Sequence, residues 1–238
     1  MASLICGSIA YDTIMNFEGK FADQILPEQI HILNVAFLVP TMRREFGGCA
    51  GNIAYNLHLL GGDPIIMATV GGDANPYMDH LKQLKIDSSH IRQIDNAFTA
   101  QAMITTDQTN NQITAFHPGA MSESHLNQVA SVVAERNKNA KGAAKFGIVA
   151  PDGRQGMWEH CHQLADANIP FIFDPGQGLP MFDGPELLEL VEIASYLAVN
   201  DYEGEMLSKK TGLELVKIAE RVKALIVTKG AQGAEIYT

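Results

Sequence analysis

Six residues, Gly47-Gly48-Cys49-Ala50-Gly51-Asn52, bring three glycines together directly ahead of an apolar helical pattern. Glycine tolerates positive φ and lets backbone approach a ligand closely. The first N–H groups of a helix have no partner of their own. That combination suits close approach of the backbone to a ligand. It is neither a phosphate loop, since no Gly-Lys-Ser/Thr follows, nor a GxGxxG dinucleotide fingerprint; a tight strand–helix turn is the plainer reading of these six residues alone. A second set of polar residues closes three apolar runs: Asp174 in FIFDP, Asn200 in YLAVN and Thr228 in LIVT. Ligands of open parallel sheets gather beyond the carboxyl ends of the strands, so these three predict a shared crevice. Each alone would also suit a turn. His160-Cys161-His162 looks like a ligand cluster on paper, but adjacent helical positions diverge and cannot meet on one ion. A solvent-facing helix segment is expected there. Cys49 lies in the glycine turn, with no partner that marks it as a nucleophile.

Elements must hold these groups in place. Leu4–Ile9 reads as a buried strand, and 12–44 as extended structure outside the main domain, with Ile30–Val39 apolar and partly alternating. After the glycine turn, Ile53, Leu57 and Leu60 share a helical face that Gly61 and Gly62 end. Ile65–Val70 predicts a strand, and Asp73 an N-cap for a helix with Tyr77, Leu81 and Leu84 on one face. Gln101–Thr106 and Gln112–His117 flank DQTNN as a hairpin. Then helix and strand alternate: helix 122–137, strand 146–150, helix 155–167, strand 171–173, helix 185–194 and strand 196–199. One or two helices over 202–223 and a strand at 225–227 complete the series. This rhythm predicts a three-layer α/β/α sandwich around a mainly parallel sheet. The strands near 12–46 and 97–118 do not fit that sheet and are assigned to a small β lid; residues 1–11, 47–96 and 119–238 form the core.

Bulk composition narrows the partners. The 238 residues are 46% hydrophobic, enough for one large domain, and the net charge of −10 makes nucleic acid and anionic membranes poor partners. A nucleotide remains compatible, because backbone N–H groups and magnesium can hold phosphate against an acidic background. Cys6, Cys49 and Cys161 are odd in number and widely spaced, the pattern of free thiols in the cytoplasm. The opening MASLICGSIAYD has no basic leader and reads as a first strand rather than a signal peptide or membrane span.

GSIAYD, FGGCAGNIAYNLHLLG, TVGGD, AFHPGAM, DPG, NDYE and VTKGAQG occur in the order and spacing of the PfkB (ribokinase-like) kinases, along the whole chain. FADQILPEQIHILNVAFLV and FHPGAM look most like the bacterial adenosine kinases. The resemblance implies a ribokinase-like fold and phosphorylation, by ATP with Mg2+, of the 5′-hydroxyl of adenosine or a related nucleoside or sugar. It further implies that Asp12 holds two ribose hydroxyls, and that the Gly48 backbone and the Asn52 side chain grip the sugar beside Ser8. A carboxylate accepting two hydroxyl protons suits such a polyol. Phe116 on the lid would stack on a purine or shield the sugar, or else be simple core. The matching place for a second aromatic holds the small Ala102, a departure that Phe37 could offset. Asn200 and Glu203 correspond to the family's Asn-x-x-Glu, which organises magnesium around the ATP phosphates, although a helix start with acidic residues fits the same tetrapeptide. Thr228 and Gly230 match the turn that approaches ATP.

The family's Gly-Ala-Gly-Asp-like motif, which supplies the anion hole and the catalytic base, is not found before Thr238; Gly71–Asp73 lies far too early and matches another position. The sequence is therefore expected to be part of a longer chain whose base Asp follows Thr238, and the 238 residues alone are expected to transfer no phosphate. A ribokinase- or fructokinase-like sugar kinase and a non-catalytic nucleoside- or sugar-binding protein are the alternatives. A homodimer through the lid is compatible with each.

Overall fold

Apolar runs that alternate with helical patterns leave a strand no exposed face, so they assemble into a parallel sheet covered on both sides. The computed structural model describes residues 2–138 and 142–238. The chain opens with β1 (Ala2–Cys6) and β2 (Ala10–Asn16), then returns through β3 (Thr41–Gly47) into helix α1 (Cys49–Leu59). Next come β4 (Asp63–Met67), β5 (Thr69–Gly71), α2 (Asn75–Gln83) and β6 (Arg92–Ile94). The hairpin of β7 (Ala100–Thr106) and β8 (Gln112–His117) follows. The remainder alternates: α3 (Val129–Lys138), β9 (Ala144–Val149), α4 (Arg154–Asp166), β10 (Phe171–Phe173) and α5 (Gly184–Ile193). It ends in β11 (Tyr196–Asn200), α6 (Asp201–Thr211), α7 (Leu215–Ala219), β12 (Ala224–Thr228) and β13 (Ala234–Tyr237).

The large sheet has the order β13-β12-β11-β10-β9-β1-β4, parallel except for β13 at its edge. Alternate residues of β1 and β4 feed opposite faces. Leu4, Cys6, Ile65 and Met67 join a core under α3 to α7, whereas Ile5 and Ile66 join Ala50, Ala54, Tyr77 and Leu81 under α1 and α2. Because β1 is flanked by β4 on one side and β9 on the other, the chain reverses its direction of travel there. The carboxyl ends of β1 and β9 therefore form the topological switch point, where ligands of such sheets bind. Capping fixes the helices that follow. Asp183 and Glu186 form a capping box at α5, Asn200 and Glu203 form another at α6, and Gly212 (φ +70°) ends α6.

A second, four-stranded sheet has the order β3-β2-β7-β8 and projects from the switch point. Ala10, Tyr11 and Gly47, grouped with the core by sequence, already belong to its strands. Ile30–Val39 is not extended as expected: Pro27–Ile32 is a 3-10 segment and the residues up to Pro40 carry no strand. Pro27 and Pro40 bracket this stretch and disfavour a ladder. The 65–70 run is divided between β4 and β5, which belong to different sheets. The predicted 122–137 helix is likewise divided, into a 3-10 segment Gly119–Leu126 and α3, because Asn127 turns inward and donates to the carbonyls of Ala68 and His90. Helix α1 begins inside the glycine turn and buries its small face, Ala50, Gly51 and Ala54, while Leu60 is exposed. His160 and Cys161, expected to face solvent, are fully buried. His160 Nε2 pairs with the Asn127 carbonyl at 2.8 Å, and only His162 points outward, to Glu189 at 3.0 Å.

Gly51 is required by packing. A Cβ there would lie 2.0 Å from the Tyr77 hydroxyl, which donates to the Gly47 carbonyl at 2.7 Å. Gly51→Ala should therefore displace Tyr77 and lower stability by about 1–3 kcal/mol. Urea denaturation checks this, and a midpoint equal to that of the parent protein would contradict the packing argument.

Candidate functional site

At the switch point, Gly48 has φ +89°, and a Cβ there would fall 2.5 Å from the Ser8 carbonyl oxygen and 2.6 Å from the Ala10 nitrogen. Only glycine lets β3 and α1 pass this close to the link between β1 and β2. Ser8 then does two jobs: its Oγ accepts from the Cys49 N–H at 3.1 Å, and its carbonyl accepts from the Ala50 N–H at 2.9 Å. Asn52 follows on the first turn of α1 with its side chain exposed. Asp12, one strand away, packs its carboxylate directly against Gly47, where a Cβ would come within 2.3 Å of Oδ2. Ser8, Asp12, Gly48 and Asn52 are thus gathered around one junction.

Cross-strand register adds the lid residues. Asp12 is opposite Glu45 on β3 and Ala102 on β7, and Ala102 is opposite Phe116 on β8. Opposed residues share a sheet face, so Glu45, Asp12, Ala102 and Phe116 form one row. With strands about 4.8 Å apart, Asp12 and Phe116 stand roughly 10 Å from each other across the small Ala102. Phe116 is 53% exposed, which rules out a core role. Phe37 is not brought to it: its ring packs on Phe17 and Phe21, at centroid distances of 5.0 and 4.9 Å. Phe17 follows the end of β2, five residues and about 17 Å of strand beyond Asp12. Burial, helped by the facing Glu45, raises the Asp12 carboxyl above its ordinary range.

The late strand ends form the crevice that their sequence predicts. A cavity of about 380 Å3 is lined by Cys49, Asp174, Gln177, Asn200, Glu203 and Thr228 among others. Register sets Asn200 directly beside Thr228. Gly230 (φ +55°) lies in the turn after β12. Asn200 and Glu203 act first as a cap: the Asn200 side chain accepts from the Glu203 N–H, and Glu203 Oε2 accepts from the Asn200 N–H, both at 2.8 Å. Burial and the nearby Glu203 raise Asp174 to about 6. Among the described residues no group of three or more His, Cys, Asp or Glu side chains converges as a metal cage. Two carboxylates and an amide facing one cavity do suit magnesium, which takes few protein ligands and keeps waters and phosphate oxygens.

Sequence reasoning placed Asp174 in the strand-end crevice without giving it a role, and missed Asp152 altogether. Asp152 follows β9 at the switch point, 3% exposed, and its Oδ1 accepts from the Gly153 N–H at 2.9 Å. Pro-Asp-Gly reads as an ordinary surface turn, so its burial has no local signal.

The sheet order, the lid and the strand-end crevice define a ribokinase-type kinase scaffold, and a model of the pfkB family carbohydrate kinases matches residues 13–238. The chain belongs to the PfkB family. It is 34% identical over 241 residues to the nucleoside kinase of Methanocaldococcus jannaschii, a match covering 100% of this chain and 73% of that protein. The structure of Burkholderia thailandensis nucleoside kinase in complex with inosine is 55% identical, with a TM-score of 0.83, covering 99% of this chain and 72% of that one. Ribokinase from Thermotoga maritima, at 20% identity and a TM-score of 0.77 over 100% of this chain and 74% of its own, shares the fold. Among the described residues no helix is long and apolar enough to cross a membrane.

Burial raises the Asp152 carboxyl to about 8. Between the unfolded value of about 3.9 and that folded value, the native state holds the extra proton, so stability falls as pH rises through this window. Asp152→Asn removes the titrating group. Its denaturation midpoint should fall less than the parent's between pH 5 and pH 9, and equal slopes would mean that Asp152 is ionised in the native protein.

Proposed function

We propose that this protein serves the transfer of the ATP γ-phosphoryl group to the 5′-hydroxyl of a purine nucleoside, adenosine or inosine. The observation that carries the reading is the row Asp12–Ala102–Phe116. A carboxylate at one end can accept two vicinal sugar hydroxyls, and an aromatic ring at the other can stack on a base. Ala102 between them leaves a floor about two strand spacings long, which suits a nucleoside rather than a bare pentose. The 55% identical Burkholderia protein has been solved with inosine and with ADP-inosine, which favours the same class here.

In this reading the Gly48 backbone and the Asn52 amide hold the sugar from the α1 side, with Ser8 fixing the helix start that presents them. Asn200, Thr228 and Gly230 border the nucleotide, and Glu203 with Asp174 would hold Mg2+ through its waters. Bound magnesium would neutralise charge on the transferring phosphates. Phosphoryl transfer depends mainly on positioning and charge stabilisation, so a crevice meeting the acceptor junction is the arrangement it needs. No residue from 1 to 238 is assigned as the base for the 5′-hydroxyl, and a polypeptide of these 238 residues is expected to bind nucleoside without phosphorylating it. A cytoplasmic location and pairing of two copies through the lid are compatible with this assignment.

Calorimetry with inosine, adenosine, ribose and fructose tests the reading. The nucleosides should bind at least tenfold more tightly than either sugar, and Asp12→Ala should weaken nucleoside binding about 100-fold, the loss of two charge-assisted hydrogen bonds. Ribose or fructose binding as tightly as the nucleosides would instead favour a sugar kinase. An unchanged affinity in Asp12→Ala would remove the pocket assigned here.

A further inference from the structure

Asp73 was expected to cap α2, yet that helix starts after Ala74 with no side-chain cap. The carboxylate is engaged elsewhere. Its Oδ1 accepts from both the N–H and the hydroxyl of Thr99, each at 2.7 Å, across 26 residues of sequence. Thr99 is fully buried immediately before β7, and its Oγ1 in turn accepts from the Gly71 N–H at 3.0 Å. Gly71 packs so tightly here that a Cβ would lie 2.3 to 2.4 Å from the backbone of residues 97–99. The Asp73 carbonyl also accepts from the Tyr11 hydroxyl on β2 at 3.3 Å. Four residues on, Tyr77 donates to the Gly47 carbonyl at the end of β3. The bases of three lid strands are therefore fastened to one short segment, 71–77, rooted in the core.

We propose that Asp73 is a positioning residue for the acceptor site, acting through Thr99 to hold β7 in register against β2. β7 carries Ala102, three residues beyond Thr99, and the row of Asp12, Ala102 and Phe116 exists only while that register holds. Asp73 touches no part of this row itself. The inference rests on the nucleoside reading of the row, but the fastening can be measured without it.

The test compares Asp73→Ala, Asp73→Asn, Thr99→Val and Thr99→Ser by inosine calorimetry and by hydrogen exchange of the β7 and β8 amides. Asp73→Ala and Thr99→Val should each weaken inosine binding about tenfold and speed lid-amide exchange, leaving β9 to β12 protected; their combination should be less than additive. Thr99→Ser, which keeps the hydroxyl, should restore both readouts, and Asp73→Asn, which keeps an acceptor oxygen, should fall between. Asp73→Ala with inosine affinity within twofold and unchanged lid exchange would overturn the proposal. So would faster exchange spread evenly over the large sheet, because that reports a general loss of stability. If the parent protein binds no nucleoside, the proposed function fails, and lid exchange alone still decides whether Asp73 fastens β7.

Discussion

The backbone of Gly48 passes so close to that of Ser8, Ile9 and Ala10 that no side chain of any kind fits between them. Two hydrogen bonds from Cys49 and Ala50 to Ser8 keep that contact closed. Everything useful in the molecule is arranged around this crossing. The large sheet reverses its direction of travel there, the small sheet starts there, and α1 begins there with its first two N–H groups bonded to Ser8. A substitution at Gly48 would need both a left-handed backbone and a breach in three neighbouring residues, so the position is fixed twice over. The junction of Ser8, Asp12, Gly48 and Asn52 is thus a consequence of how two sheets are joined, with no separate loop built to make it.

Electrostatics give the crevice its character. Asp152 and Asp174 follow neighbouring strands of the large sheet, and Asp12 and Glu203 flank them in a chain whose net charge is already −10. Burial or facing carboxylates raise Asp12, Asp152 and Asp174 together, and burial, reinforced by these acids, raises the Cys49 thiol. Holding acids so close without a cation costs free energy that a ligand can recover. Polyol hydroxyls can donate to Asp12, while a hydrated magnesium ion can offset Asp174 and Glu203 and carry phosphate in with it. The pattern argues against a bare anion as the ligand and is compatible with the proposed pairing of a neutral polyol with a metal-bound phosphate.

Much of the fold was legible because it is local. Phe171–Phe173, the 101–117 hairpin and the helices α4 to α6 announce themselves through apolar runs, turn residues and capping pairs that lie within a few positions of each other. The family motifs also singled out Asp12, Gly48 and Asn52 together, and the apolar runs marked Asn200 as a strand end at the carboxyl edge of the large sheet. What escaped was decided across distance. Asp73 carries every local mark of an N-cap, but Thr99 outbids the helix for its carboxylate. Asn127 breaks a convincing helical pattern because two carbonyls 59 and 37 residues away take its amide. Phe37 could be placed on the lid but not on the right part of it, since a long irregular excursion leaves its end point undetermined by periodicity.

The two halves of the site are built on different kinds of support. Asn200, Glu203 and Thr228 sit on strand ends and a capped helix of the large sheet, whose ladders and two cores resist movement. Asp12, Ala102 and Phe116 sit on a sheet with an exposed outer strand, β8, and depend on a few bonds at its base. Local opening free energies follow buried contacts, so the small sheet should loosen well before the large one. For the proposed phosphoryl transfer this asymmetry would be useful. In that reading the phosphate end would keep its charges fixed while a substrate enters, whereas the acceptor end would admit a planar, partly apolar molecule and exclude water from it. Fastening the lid at segment 71–77 lets its tip move while its base keeps Asp12 in place, so substrate choice and phosphate positioning can be met in one chain.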